Sequence, residues 1–141
     1  MMRRSRRRSI VRRRGAAAIE YAIVLPVLLM FVLGIIDTGR LLWTYATISR
    51  AAEAAARCAA ISAAVPTAVT CATVAATQNY AVAASWGLNV AVSAFSVSNP
   101  ACGMQVQASY AFDSIMFRMV APPWKTIQLR ATSCYPFKPP A

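Results

Sequence analysis

Gly15 and Glu20 stand five residues apart at the threshold of an apolar run, and Glu20 is the only charged side chain between Arg14 and Asp37. A carboxylate in the middle of a membrane helix costs about 2.5–3.5 kcal/mol on insertion scales, and less near an end. Such a group needs a positive or hydrogen-bonding partner. The remaining reactive inventory is thin. The chain has no histidine, and its acids are Glu20, Asp37, Glu53 and Asp113. General acid–base catalysis relies mainly on histidine and paired carboxylates, so this inventory argues against an enzyme. Four cysteines, Cys58, Cys71, Cys102 and Cys134, are spaced by 13, 31 and 32 residues. That spacing lacks the paired CxxC of a zinc site, and no metal or cofactor is expected. An even cysteine count beyond a membrane segment fits an oxidising compartment and two disulfides.

Ala16 to Ile36 contains 21 residues interrupted only by Glu20. Roughly 20 helical residues span a hydrocarbon core. Eight of the chain's arginines lie within the first fourteen residues, directly before this run. Flanking positive charge stays cytoplasmic, which predicts an N-terminus inside and a C-terminal domain outside. Without residues 1–15, seven basic side chains stand against four acids, a balance of +3. The basicity thus belongs to a leader and not to a folded surface, which argues against a nucleic-acid partner. Asp37 and Arg40 close the span where headgroups begin, and Trp43 and Tyr45 follow in the zone that aromatic side chains favour. A cleaved secretory signal would need a shorter apolar region and a small-residue cleavage site, and Gly34–Asp37 is a poor one. The twin-arginine pattern of Ser5–Ile10 is easily matched in any arginine-rich leader. A plain signal anchor accounts for the arginines and the apolar run but leaves Glu20 unexplained.

A basic leader, Gly15, four small or apolar residues, Glu20 and an apolar run together resemble the processing site of type IV pilins and pseudopilins. Within that class, IEYAIVLPVLLMFVLGIIDTGRL, whose uncharged run opens at Tyr21, is similar to the TadE-like minor pseudopilins of the tight-adherence (Tad/Flp) pilus system, in Glu20, Pro26, Gly34, Asp37 and Arg40. The alanine-rich stretch AAEAAARCAA resembles the helix that follows in the family, with Cys58 departing from a tyrosine-bearing pattern. The resemblance implies that a prepilin peptidase cuts between Gly15 and Ala16, making Glu20 the fifth residue of the mature chain. It also implies partners among other Tad pilus subunits and the inner-membrane platform, with Glu20 pairing the amine of Ala16 on a neighbouring subunit. An internal contact is open too, because Ala16 and Glu20 are four residues apart on one helix. The alternative reading is an uncleaved bitopic envelope protein that binds a partner through its outer domain.

The elements that carry these residues follow from periodicity. Leu41, Leu42, Tyr45, Ile48, Ala52 and Ala55 recur at helical steps, so one helix is expected from about 17 to 63, with Pro66 ending it. Pro26 removes one backbone bond and is a candidate kink. A second, alanine-rich helix is expected over 72–86, stopped by Gly87. Leu88–Val97, Gly103–Phe112 and Thr126–Cys134 alternate and are rich in β-branched and aromatic residues, which predicts three strands. Residues 114–124 read as a short helix or a loop covering the core, lying on the membrane or a partner. The fold class expected is α+β and pilin-like: a long N-terminal transmembrane helix running into a small domain with a second helix and a roughly three-stranded antiparallel sheet. The organisation is a cytoplasmic leader at 1–15, a span at 16–37 and a periplasmic helix extension at 38–65. A small periplasmic α+β domain at 66–135 and a tail at 136–141 complete it. The expected location is the inner membrane, crossed once.

One bridge, Cys58–Cys71, would close the turn after the long helix. Cys102–Cys134 would join the ends of two antiparallel strands. Parity opposes that second bridge, since Val106, Tyr110 and Phe112 share the face of Cys102 while Ile127 and Leu129 oppose that of Cys134; a bulge or an edge position is needed. Crossed bridges tying helix to sheet are the other arrangement.

Overall fold

In the computed structural model the described residues are 3–65, 67–120 and 126–136, with side chains from Ala18 onward except at Val120. A single helix, α1, runs Arg3–Ala64. At 1.5 Å per residue it is about 93 Å long. It starts earlier than expected. The leader has no proline, its arginines are good helix formers, and the lone Gly15 costs about 1 kcal/mol without breaking the run. The helix also continues through Pro26. Pro66, together with residues 121–125 and 137–141, lies outside the described residues.

The two halves of α1 have different surroundings. From Ala18 to Val32 every residue is exposed, whereas Ile48, Ala51, Ala52, Ala55 and Ala56 are fully buried. Those alanines form a flat seam on which the sheet lies close. The sheet is a three-stranded antiparallel meander ordered β1 (Phe95–Ser98), β2 (Met104–Asp113), β3 (Thr126–Tyr135). Pairing Val106 with Ser133, Ala108 with Ala131, Tyr110 with Leu129 and Phe112 with Ile127 puts all eight on the face toward α1. The other face is polar, with Gln107, Ser109, Gln128 and Arg130 exposed. This alternation is what an antiparallel sheet shows when one face is packed and the other solvated.

The second helix, α2 (Val74–Ala84), lies against α1 and β1. The Thr73 side chain accepts from the Ala76 amide 3.2 Å away, which caps its start. Its end is followed by Gly87, whose φ of +72° suits glycine and whose absent side chain makes room for the ring of Trp43. A Cβ there would sit 3.0 Å from Trp43 Cη2.

The strand expected over Leu88–Val97 is shorter, because the ladder with β2 reaches only from Phe95–Ala108 to Ser98–Gln105. Before it, Val92–Ala94 tighten into a 3-10 turn while Val90 drops into the core. Gln78 of α2 donates its side-chain amide to the Phe95 carbonyl at 2.6 Å, which ties α2 to the first residue of β1. The segment after β2 contains a short helix, α3 (Ile115–Val120).

Both bridges join sequence neighbours: Cys58 to Cys71 and Cys102 to Cys134. The parity objection dissolves because Cys102 belongs to the Pro100–Gly103 turn and not to a strand. The Gly103 amide donates to the Pro100 carbonyl at 3.0 Å, and its φ of +120° breaks the alternation. A Cβ on Gly103 would overlap the Tyr135 carbonyl oxygen, so the turn folds onto the end of β3 only with glycine there.

The seam generates a first prediction. Ala55→Leu inserts three carbons where α1 meets the sheet and should destabilise the domain by about 1–3 kcal/mol. Denaturant unfolding in detergent, followed by tryptophan fluorescence, measures it. An unchanged midpoint would mean that the sheet does not sit on this face of α1.

Candidate functional site

The residues singled out on the N-terminal half of α1 share one rod. Gly15 and Ala16 are helical, their side chains lying outside the described residues, and Glu20 and Tyr21 are exposed. Gly15 is 22 residues before Asp37, about 33 Å along the axis. The fold therefore separates two groups: Gly15, Ala16 and Glu20 at one end of the apolar run, and Asp37 and Arg40 at the other. Pro26 and Gly34 lie between them.

Among the described residues, Asp37 of the second group is met by the rest of the chain, whereas Glu20 is exposed. Asp37 is 6% exposed, although its neighbours Ile36 and Thr38 are open. Its burial is caused by α3, which folds back onto α1 at this point. Oδ1 of Asp37 accepts from Arg40 Nη1 at 3.2 Å and from the Ile115 amide at 3.3 Å. Oδ2 accepts from the Ser114 hydroxyl at 2.5 Å and from the Met116 amide at 3.4 Å. Ser114 Oγ in turn accepts from the Phe117 amide at 3.2 Å, and its carbonyl takes the Arg118 amide. The opening turn of a helix has amides with no partner inside the helix. Here the first three amides of α3 are all taken, one by its own serine cap and two by a carboxylate 77 or more residues away.

Electrostatics favour the same arrangement. A carboxylate suits the positive end of a helix, and hydrogen bonds to a charged acceptor are about twice as strong as neutral ones. Arg40 closes the outer side of the cluster. Its side chain is 47% exposed and lies across Phe112, with Cζ 5.4 Å from the ring centroid. One guanidinium thus holds the acid of α1 and covers the last inward residue of β2. Met116 packs on α1 at Gly34, with its sulfur 3.5 Å from where a Cβ would stand.

Sequence reasoning marked Asp37 and Arg40 but missed Ser114 and the opening of α3. A signal was present: Ser114 directly precedes the apolar Ile115-Met116-Phe117, the pattern of a helix N-cap. Nothing in the spacing tied that cap to Asp37. The cysteines take no part in this cluster. Among the described residues no three His, Cys, Asp or Glu side chains group as metal ligands do. What the arrangement does chemically is hold: it locks the β2–β3 connection to the end of the apolar helix.

A double-mutant cycle tests this lock. Ser114→Ala should cost about 1–2 kcal/mol, as lost caps do. Asp37→Ala should cost about 2–4 kcal/mol by stripping a charged acceptor from several donors. Made together, the two losses should fall short of their sum by about 0.5–3 kcal/mol. Strict additivity in denaturant unfolding would show that the pair does not interact.

With this geometry in view, comparison with known proteins bears on one part of the chain. No curated protein and no solved structure matches it. Residues 15–57 match the family model described as TadE-like protein. The matched stretch takes in Gly15, Glu20, the apolar run, Asp37, Arg40 and the alanine seam, and leaves α2, the sheet and α3 outside. Over residues 15–57 the chain is therefore similar to the TadE-like family, in the part of α1 that holds the exposed Glu20 and the buried Asp37.

Proposed function

We propose that this chain is a structural subunit of Tad/Flp pilus assembly, a TadE-like minor pseudopilin. It sits in the inner membrane with the arginine leader cytoplasmic and the sheet domain periplasmic. A prepilin peptidase hydrolyses the peptide bond between Gly15 and Ala16, releasing the leader and leaving a protonated amine on Ala16. The processed chain then packs with other Tad pilus subunits and the inner-membrane platform; its role is assembly and not catalysis. The observation that carries this reading is the TadE-like match over residues 15–57, which opens at the proposed cleavage residue.

Physical chemistry supports each step. One helix is long and apolar enough to cross a membrane by length and composition. Its described side chains from Ala18 to Val32 are exposed all round, as a segment must be if lipid and neighbouring helices are to cover it. Ala16 and Glu20 lie one turn apart on a continuous helix, so a new amine would appear at nearly the depth of the acid. That amine supplies the positive partner that Glu20 needs in an apolar medium, either on its own helix or on that of an adjacent subunit.

Intact mass of the membrane-extracted protein tests the proposal. In cells carrying the peptidase, the mature chain should begin at Ala16. Gly15→Leu should accumulate as a precursor heavier by residues 1–15, because a large side chain replaces the smallest one at the scissile bond. Normal processing of Gly15→Leu, or a wild-type mass that starts at Met1, would instead leave an uncleaved bitopic envelope protein.

A further inference from the structure

The short helix α3 presents apolar side chains outward. Met119 is 69% exposed, and Ile115, Met116 and Phe117 are all open to the surface. They lie beside the end of the apolar run. Met116 touches α1 at Gly34, one turn below Asp37, and Ile35 at that level is 72% exposed. Whatever medium covers α1 up to Ile36 therefore meets α3 as well. We propose that α3 is a second membrane contact, seated in the bilayer interface on the side of the folded domain. There Met116, Phe117 and Met119 would rest against acyl chains while Arg118 reaches lipid phosphate. This rests on the reading of α1 as a membrane span.

Three observations favour lipid over a protein partner. The patch is continuous with the exposed run of α1 and shares its level. Its basic groups are the exposed Arg118 and the half-exposed Arg40, which suit anionic headgroups, and a long basic side chain can keep its stem among acyl chains. Trp43 and Trp86, 53% and 79% exposed, belong to the next level outward, where interfacial aromatics gather.

The hydrogen-bond cluster makes the placement affordable. Backbone amides in an apolar medium must be satisfied from within the protein. Asp37 and Ser114 satisfy the open end of α3, and those same donors solvate the carboxylate where water is scarce. The lock between α3 and α1 thus becomes a condition for immersion. Two contacts, α1 and α3, would fix the height and tilt of the sheet domain above the bilayer.

The test is site-specific photolabelling of the full chain in vesicles of phosphatidylethanolamine and phosphatidylglycerol. A diazirine-bearing amino acid replaces Met119, whose exposure lets the probe sit without disturbing the core. Matched samples carry it at Ile35, in the span, and at Val69, 74% exposed beyond the far end of α1. Intact mass counts lipid adducts. Position 119 should label close to position 35 and roughly tenfold above position 69, as an interfacial segment would. Labelling at 119 no higher than at 69, with 35 labelled, overturns the proposal and leaves the span standing. A crosslink from 119 to a second copy in place of lipid also overturns it. If 35 fails to label as well, the membrane reading falls with it.

Discussion

One helix has two different surroundings, and the rest of the structure is arranged around the point where it passes from one to the other. Below Leu33 the described side chains of α1 are exposed on every face; above Thr44 the helix is the floor of a core. Asp37 marks the change. An acid there would be a liability for a helix entering an apolar phase, yet it is buried with four donors around it. Three of those donors come from the β2–β3 connection. The acid therefore recruits the sheet, and the sheet gains a fixed point on a helix that otherwise offers it mostly alanine.

At the opposite end of β2 the restraint is of another kind. Cys102–Cys134 ties the turn before β2 to the end of β3, and Cys58–Cys71 ties the top of α1 to the chain that leads into α2. Ser62 adds to the second by accepting the Cys71 amide at 3.2 Å. In the chain-entropy account, the longer loop closed by Cys102–Cys134 contributes about 4 kcal/mol and the shorter one closed by Cys58–Cys71 about 3 kcal/mol, by restricting the unfolded chain. A small domain with an alanine-rich seam buries few large side chains, Phe95 and Ile48 being the largest that are fully enclosed. Covalent closure at one end and a charged hydrogen-bond cluster at the other compensate for that modest core.

The sequence made the long helix, the alanine seam and the sheet legible, because each rests on local periodicity. Ile48, Ala52 and Ala55 recur at helical steps, and Val106 and Phe112 alternate with polar neighbours, as their burial requires. The start of β1 was not legible. Val90 and Val92 alternate as a strand does, but Val92–Ala94 tighten into a 3-10 turn and the ladder with β2 begins only at Phe95, which is a tertiary fact. The second bridge seemed to break parity only because strand alternation was extended through Gly103, where a positive φ resets it. The node at Asp37 was half legible. Its acid and arginine stand three apart on one helix, while Ser114 lies 77 residues on, a distance no local pattern bridges.

Comparing the two acids of the apolar run sharpens what each requires. Both face the same desolvation problem, and their solutions differ because of where the folded domain reaches. Among the described residues, partial burial on α1 begins at Leu33 and Gly34, so the sheet domain meets the helix only near its exit from the run. Asp37 falls within that reach and is satisfied by its own chain. Glu20 is 17 residues earlier, about 25 Å further down the axis. Its partner must come from the first turns of the same helix or from another molecule. An amine created at Ala16 meets the first condition, and the amine of an adjacent subunit meets the second. The fold that satisfies Asp37 thus leaves Glu20 as the acid of this run open to an outside partner, which is what the proposed assembly would use.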